Sequence, residues 1–134
     1  MKLLSSESMS IVSSEDIVIV RQAVRKKAVA LGFGLVDQTK FVTASSELAR
    51  NTLDYGGGGT VQLDIVQNDR RSGLRVIFED QGPGIPDIDL ALTDGYTSGN
   101  GMGLGLSGAK RLSHEFEISS KPGEGTRVSI LRWK

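Results

Sequence analysis

The feature that most constrains the fold of this chain is a run in which glycine alternates with other residues before a helix-like segment. The run reads GNGMGLGLSGAKRL, from Gly99 to Leu112. Glycine destabilises helix and strand interiors by roughly 0.5–1 kcal/mol relative to alanine, so a regular element is disfavoured there. The chain has 17 glycines, and eight of them lie between Gly82 and Gly108. This local excess indicates either a mobile solvent loop or a site where the backbone approaches a ligand closely.

The composition excludes several classes of function. Sixteen basic and sixteen acidic residues cancel, so we expect no nucleic-acid partner and no attraction to an acidic membrane. The absence of cysteine removes disulfides, zinc–thiolate sites and thiol nucleophiles. The one histidine, His114, argues against a histidine-rich metal site, and we interpret it as structural. No segment predicts a signal peptide or a membrane span, so we expect a single soluble, cytoplasmic domain over residues 1–134.

Hydrophobic periodicity predicts the order β-α-α-β-β-loop-α-β-β. A helix capped by Ser13 or Ser14 stops at Gly32, and a second helix capped by Asp37 runs from Gln38 to about Leu53. The other predicted elements are a weak edge strand Ser8–Ser13, two alternating strands around Val61–Ile65 and Leu74–Phe78 joined by NDRRSG, a short helix Leu104–Leu112, and strands Phe116–Ser119 and Arg127–Leu131. This order is typical of an α+β two-layer sandwich, with about three helices on one face of a mostly antiparallel, mixed sheet.

The glycine-rich run matches two phosphate-binding motifs only superficially. GLGLSG, from Gly103 to Gly108, fits the pattern GxGxxG, but a dinucleotide-binding turn follows a strand directly, whereas this run follows about twenty loop residues. The chain also contains no GxxxxGK[ST] sequence. The run nevertheless shares one physical property with those motifs. A glycine-rich backbone before a helix presents unpaired amide groups that can bind phosphate.

Asp80 is a candidate anchor for a flat base. It has the same parity as Leu74, Val76 and Phe78, so the alternation places its carboxylate on the buried face at the end of a strand. A buried carboxylate is costly unless a partner satisfies it. Asp80 could simply cap the turn that follows, or it could accept a hydrogen bond from an amino group in an apolar pocket.

Glu47 and Asn51 form a second candidate pair on the second predicted helix. They are four residues apart and therefore neighbours on one helical face. A carboxylate beside a carboxamide suits a base next to a metal ligand, although two solvated surface residues would give the same pattern.

Four short motifs occur in an order that resembles a known superfamily. The chain is similar to the GHKL ATPases and kinases (gyrase, Hsp90, histidine kinases, MutL), whose ATP-binding domain has the Bergerat fold. The segments LGFGLVDQTKFVTASSELARNTLDYGGGG and DGYTSGNGMGLGLSGAKRLSHEFEI further resemble the RsbT-type serine/threonine kinases of bacterial stress signalling. The motifs are ELARN (Glu47–Asn51), DQGPG (Asp80–Gly84), GMGLGL (Gly101–Leu106) and GT (Gly125–Thr126).

The resemblance implies roles for individual residues. Asp80 would accept a hydrogen bond from the adenine amino group, with Thr126 nearby. Gly82 and Gly84 would let the base approach. Asn51 would hold Mg²⁺ on the phosphates, and Glu47 would be the catalytic base.

The same resemblance implies that the glycine-rich run forms a lid over the triphosphate of ATP. Gly101, Gly103 and Gly105 would close on the phosphates, with Met102 and Leu104 between them. The concentration of glycines and small polar residues from about Asp89 to Gly103 is typical of a lid. We therefore expect this segment to be poorly ordered without nucleotide and to close on ATP.

The resemblance also implies a biological role. It favours an ATP- and Mg²⁺-dependent protein serine/threonine kinase that phosphorylates a STAS-domain protein and also controls a PP2C-type phosphatase by binding. Two alternatives stay open at this point. One is an anti-sigma factor of the RsbW type, and the other is an ATP hydrolase fragment of the gyrase class, against which the lack of a transducer domain argues.

Overall fold

Two helices separate the first strand from the rest of the sheet in the computed structural model, which describes residues 1–93 and 105–134. In this part of the chain the elements are β1 (Lys2–Ile11), α1 (Ser14–Leu31), α2 (Leu35–Asp54), β2 (Gly59–Asn68), β3 (Arg71–Asp80), α3 (Ile88–Ala91), α4 (Leu106–Arg111), β4 (Glu115–Ser120) and β5 (Thr126–Trp133). The predicted order of elements is confirmed, with the addition of the four-residue helix α3 inside the predicted loop.

The strands form one five-stranded sheet in the order β1-β2-β3-β5-β4. All four pairings in the described part of the chain are antiparallel. The weakly predicted first strand is confirmed as an edge strand, and β4 is the other edge. In the register of the two central strands, Asp80 at the end of β3 lies opposite Thr126 at the start of β5.

The helices pack on one face of this sheet, as the α+β two-layer prediction requires. The predicted stripe of α2, which runs from Phe41 to Thr52, is buried. On β3 the predicted alternation is also confirmed, because Leu74, Val76 and Phe78 are all buried against the helices. The core therefore lies between the helices and the sheet, and Asp80 ends the buried row of β3.

The ends of α1 follow the predicted signals. Ser13 is the N-cap residue, and the Asp16 carboxylate accepts hydrogen bonds from the backbone N–H groups of Val12 (2.9 Å) and Ser13 (3.2 Å). At the other end Gly32 adopts a left-handed conformation with φ of 89°, which glycine reaches without the steric cost of a side chain.

The predicted start of α2 is wrong. The helix begins at Leu35 after Gly34, so Asp37 lies in the first turn and is not the cap. Its carboxylate instead accepts a hydrogen bond of 2.7 Å from the Arg132 guanidinium on β5. Sequence reasoning missed this arrangement because the partner of Asp37 is distant along the chain.

Two strand boundaries also differ from the prediction. β1 runs from Lys2 to Ile11, so it is longer than the predicted Ser8–Ser13. The prediction missed its first half because the residues there are exposed and give little hydrophobic alternation. The loop between β2 and β3 is shorter than NDRRSG, because β2 continues to Asn68 and β3 starts at Arg71. Asp69 makes this tight turn with φ of 56°.

The expected lid lies mostly outside the described residues. Its first part enters α3, where the Asp87 side chain accepts a hydrogen bond from the Leu90 backbone N–H (3.0 Å). The residues from 94 to 104 are not described, so the expectation of an ATP-dependent closure stays a prediction. Among the helices of residues 1–93 and 105–134, none combines the length and apolar character needed to cross a bilayer.

Candidate functional site

Three of the predicted site residues line one small cavity under the helices. Asn51 comes from α2, Asp80 from the end of β3 and Thr126 from the start of β5. The rest of the lining is mainly apolar: Leu48, Thr52, Tyr55, Phe78, Ile85, Leu106 and Val128. An apolar wall with a few convergent polar groups is the usual character of a small-molecule site.

The cavity is narrow as the described residues form it. Its volume of about 20 Å³ accommodates little more than one water molecule. A base the size of adenine exceeds this volume, so the lining side chains would have to move apart to admit one. A larger groove of about 310 Å³ on the outer face of the sheet is lined mainly by charged and polar side chains, so size does not identify the site.

Asp80 is buried, with 8% of its surface exposed. Burial raises the pKa of its carboxyl above the ordinary 3.8, although hydrogen bonds from the backbone N–H groups of Gly82 and Thr126 oppose that shift. The Gly82 bond is 2.9 Å long. No salt bridge to Asp80 occurs among residues 1–93 and 105–134. A buried carboxylate with a raised pKa that faces a cavity is a candidate ligand-binding group.

Several glycines around Asp80 are required by contacts within the chain. A Cβ on Gly56 would lie 2.3 Å from the Asp80 Cγ, and one on Gly82 would lie 2.7 Å from the Gly56 Cα. Gly84 has φ of 76°, and a Cβ there would lie 2.1 Å from the Lys121 carbonyl oxygen. Gly56 thus packs directly against the Asp80 side chain, while Gly82 and Gly84 pack against the Gly56 backbone and the Lys121 carbonyl. These contacts give Gly82 and Gly84 a reason beyond the approach of a base.

Thr126 belongs to a hydrogen-bond cluster that the sequence did not predict. The Ser120 Oγ lies 2.8 Å from the Thr126 Oγ1, accepts from the Ile85 backbone N–H (2.8 Å) and donates to the Gly125 carbonyl (2.9 Å). Gly125 has φ of 81°, and a Cβ on it would lie 2.1 Å from the Asp80 carbonyl oxygen. The only sequence signal for Ser120 is its place directly before the turn Lys121–Gly125.

Tyr55 is a second residue that sequence reasoning missed. It lines the cavity and its hydroxyl donates a hydrogen bond of 3.0 Å to the Gly84 carbonyl. Tyr55 therefore fastens the DQGPG loop to the end of α2. Its position between a helix and a run of glycines was the available signal.

Glu47 and Asn51 lie on the same side of α2, as their spacing predicted. Glu47 is exposed, whereas Asn51 is half-buried in the cavity wall. A Cβ on Gly105 would lie 2.8 Å from the Glu47 Oε2, so the carboxylate adjoins the start of α4. Gly105 itself has φ of 65° and is the N-cap of α4.

The predicted residues not yet placed lie either outside the described part of the chain or away from the cavity. Gly101, Met102, Gly103 and Leu104 lie outside the described residues. His114 is away from the cavity, and its Nδ1 accepts a hydrogen bond from the Trp133 backbone N–H (2.8 Å), in keeping with a structural role.

The described residues hold no group of three or more His, Cys, Asp or Glu side chains that could bind a metal ion. A Mg²⁺ ion at Asn51 would therefore take most of its oxygen ligands from a bound phosphate chain and water, which is common for this ion. The carboxamide of Asn51 fits such a partial site.

Comparisons with known proteins identify relatives of this chain. Residues 36–134 match the family model of histidine kinase-, DNA gyrase B- and HSP90-like ATPases. The serine/threonine-protein kinase RsbT of Bacillus subtilis is 47% identical over 123 residues, which are 92% of each chain. The anti-sigma F factor of Clostridium novyi is 30% identical over 103 residues, which are 70% of this chain and 69% of that protein.

Solved structures share the fold at low identity. The RsbU and RsbW domains of a Mycobacterium tuberculosis protein match with a TM-score of 0.60 and 19% identity, over 96% of this chain and 33% of that one. The SiaB–SiaC complex of Pseudomonas aeruginosa matches with a TM-score of 0.57 and 18% identity, over 99% of this chain and 91% of that one.

Proposed function

We propose that the cavity around Asp80 binds the adenine of ATP. This chain belongs to the histidine kinase-, DNA gyrase B- and HSP90-like ATPases, and within them to the RsbT-type serine/threonine protein kinases. The observation that carries the proposal is the convergence of Asn51, Asp80 and Thr126 on one apolar cavity, from three separate elements. A polar anchor at the bottom of such a cavity recognises an amino group on a flat base.

The phosphates of ATP would extend from this cavity towards Asn51 and Glu47. Mg²⁺, held by the Asn51 carboxamide, would neutralise charge on the phosphate oxygens. The acceptor hydroxyl of the protein substrate would attack the γ-phosphorus, the bond to the β-phosphate oxygen would break, and ADP would leave. Glu47 would take the hydroxyl proton, because its exposed carboxylate lies one helical turn from Asn51. The glycines Gly101, Gly103 and Gly105, with Met102 and Leu104, would close over the phosphates.

The substrate that we propose is a STAS-domain protein in a bacterial partner-switching pathway. The support is the 47% identity to a kinase of this type over almost the whole chain. Control of a PP2C-type phosphatase by direct binding is part of the same proposal. The similarity to an anti-sigma F factor keeps a second candidate in view, in which the chain binds a sigma factor.

A mutation of Glu47 tests the kinase assignment. Glu47→Ala should retain ATP affinity, since the contacts to the base lie elsewhere, but should lose about 10²–10⁴-fold in phosphoryl transfer. Asn51→Ala should lose both transfer and Mg²⁺-dependent affinity. The measurement is incorporation of labelled phosphate into a purified STAS-domain protein, with ATP binding followed by calorimetry.

Glu117→Ala is the matched control, because Glu117 is an exposed carboxylate beside the groove on the opposite face of the sheet. It should transfer phosphate at the wild-type rate. Equal transfer by wild type and Glu47→Ala would remove Glu47 from catalysis. Stable sigma-factor binding without any transfer by the wild type would favour the anti-sigma role.

A further inference from the structure

Ser120 makes three hydrogen-bond contacts, two of them to the cavity-lining residues Ile85 and Thr126, although it has only one proton to donate. Its Oγ accepts from the Ile85 backbone N–H (2.8 Å), and it faces the Gly125 carbonyl (2.9 Å) and the Thr126 hydroxyl (2.8 Å). A hydroxyl has one donor and two acceptor lone pairs. The direction of each bond therefore follows from counting protons.

The Gly125 carbonyl can only accept, so the Ser120 proton is the one that makes this contact a hydrogen bond. The Ser120 oxygen then has two lone pairs, one for the Ile85 N–H and one for the Thr126 hydroxyl. In this arrangement all three contacts are hydrogen bonds. If Ser120 donated to Thr126 instead, the Gly125 carbonyl would lose its donor.

The consequence for Thr126 is a fixed orientation. Its proton is directed to Ser120, so the oxygen presents only lone pairs to the cavity that it lines. The Asp80 carboxylate beside it is also an acceptor, and the Thr126 backbone N–H already donates to that carboxylate. The polar end of the cavity is thus a pair of acceptors, Asp80 and Thr126.

We propose that Ser120 is a positioning residue that sets base specificity by holding the Thr126 hydroxyl as an acceptor. Two adjacent acceptors bind a 6-amino purine, which has two N–H donors at that position, and reject a 6-oxo purine, which has another acceptor. This inference rests on the proposed function, in which the cavity holds the base of ATP.

The test compares ATP with inosine triphosphate, which replaces the 6-amino group by a 6-oxo group. Calorimetry on the whole chain should give tighter binding of ATP by the wild type. In Ser120→Ala the Thr126 hydroxyl is free to rotate and donate to the 6-oxo oxygen. The preference for ATP should narrow by roughly three- to tenfold, about one neutral hydrogen bond. Ser120→Thr, which keeps the hydroxyl, should restore the wild-type preference.

A purely structural role for Ser120 predicts a different outcome. Loss of the Ile85 and Gly125 contacts alone would weaken the binding of both nucleotides equally. The ratio of the two affinities would then be unchanged, and this result would overturn the proposal. Should Ser120→Ala fail to fold, Ser120→Cys takes its place, because the thiol sulfur is a weak acceptor for the Thr126 proton.

Thr126→Val gives an independent check, since it removes the hydroxyl but keeps the branched shape. It should narrow the preference as Ser120→Ala does, and the double variant should narrow it no further. An unchanged ratio in Thr126→Val, or additive effects, would contradict the proposal. A wild type that binds no nucleotide, or that binds ATP and inosine triphosphate equally, would overturn the proposed function and this inference with it. A wild-type preference for ATP that Ser120→Ala and Thr126→Val both leave unchanged would overturn this inference alone.

Discussion

Asp64 and Asp80 are two buried carboxylates on opposite faces of the same sheet. Asp64 is fully buried on the outer face, and Asp80 is 8% exposed on the face that the helices cover. Asp64 accepts hydrogen bonds from Ser6 (2.7 Å), Gln62 (3.0 Å) and the Arg75 guanidinium (3.0 Å). Asp80 accepts only from backbone N–H groups, and no cation among the described residues pairs with it.

The pKa shifts of the two groups have opposite signs for this reason. Burial raises the pKa of both carboxyls, but at Asp64 the hydrogen bonds from Ser6, Gln62 and Arg75, with the charge of Arg75, outweigh it and lower the pKa. At Asp80 the burial prevails and the pKa is raised. The comparison teaches that burial alone does not mark a functional carboxylate. The hydrogen bonds and the cation at Asp64 outweigh its burial, whereas the backbone hydrogen bonds at Asp80, which lines the cavity, do not.

The largest effect is expected from removing the cation that pairs with the Asp64 carboxylate. Arg75→Met keeps the apolar stem but leaves the Asp64 carboxylate without its cation, so the free energy of unfolding should fall by about 3 kcal/mol. Urea denaturation measures this change. Arg127→Met, which alters another arginine of the same outer groove, should change stability by less than about 0.5 kcal/mol. ATP affinity of folded Arg75→Met should match the wild type, and a loss of affinity would break the separation of the two regions.

A smaller effect is expected from the two carboxylates themselves. Asp80→Asn should weaken ATP binding by about tenfold or more, because the buried hydrogen bond to the base would be mispaired. Its stability should change little, since a poorly compensated charge is removed. Asp64→Asn should do the reverse, with lower stability and unchanged ATP affinity. Calorimetry and urea denaturation of both variants decide the point, and similar profiles for the two would contradict the distinction.

The smallest expected effect is a pH dependence of opposite sign at the two sites. As the pH falls through the raised pKa of Asp80, towards the ordinary value of 3.8, protonation relieves the burial cost, so the wild type gains stability relative to Asp80→Asn. The contribution of Asp64 is present above 3.8 and is lost as the pH falls through its lowered pKa, so the wild type loses stability relative to Asp64→Asn. Urea denaturation of the wild type, Asp80→Asn and Asp64→Asn as the pH is lowered measures both stability differences. If the two differences changed in the same direction, these assignments would be wrong.

The two carboxylates also show what the sequence could and could not predict. The parity of Asp80 with Leu74, Val76 and Phe78 was sufficient to predict its burial, because alternation is a local property of a strand. The alternation of Val61–Ile65 concerns only the apolar face of β2 and gives no indication that Asp64, on the other face, is buried. Its burial depends on Ser6 and Arg75 from neighbouring strands, and the register between strands is not written in a local pattern.

The candidate site shows the same limit. The motifs predicted that Asn51, Asp80 and Thr126 belong together, and the described cavity brings them together. Ser120 and Tyr55 were missed because their roles come from contacts with Ile85 and Gly84, which are distant along the chain. Asp37 was assigned as a helix cap on composition alone, whereas its partner, Arg132, is 95 residues away.

The pairing of β1 with β2 across two intervening helices also governs the order in which the chain can fold. Ser6 and its partner Asp64 are 58 residues apart, so during synthesis β1 leaves the ribosome well before β2. At about 5–20 residues per second, the strand waits for roughly 3–12 s without its neighbour. An unpaired apolar strand would invite aggregation in that interval. Four serines and a glutamate among the ten residues of β1 make the strand mainly polar. We expect this polarity to lower the risk of aggregation until the β2–β3 hairpin, which contains the Arg75–Asp64 ion pair, has formed.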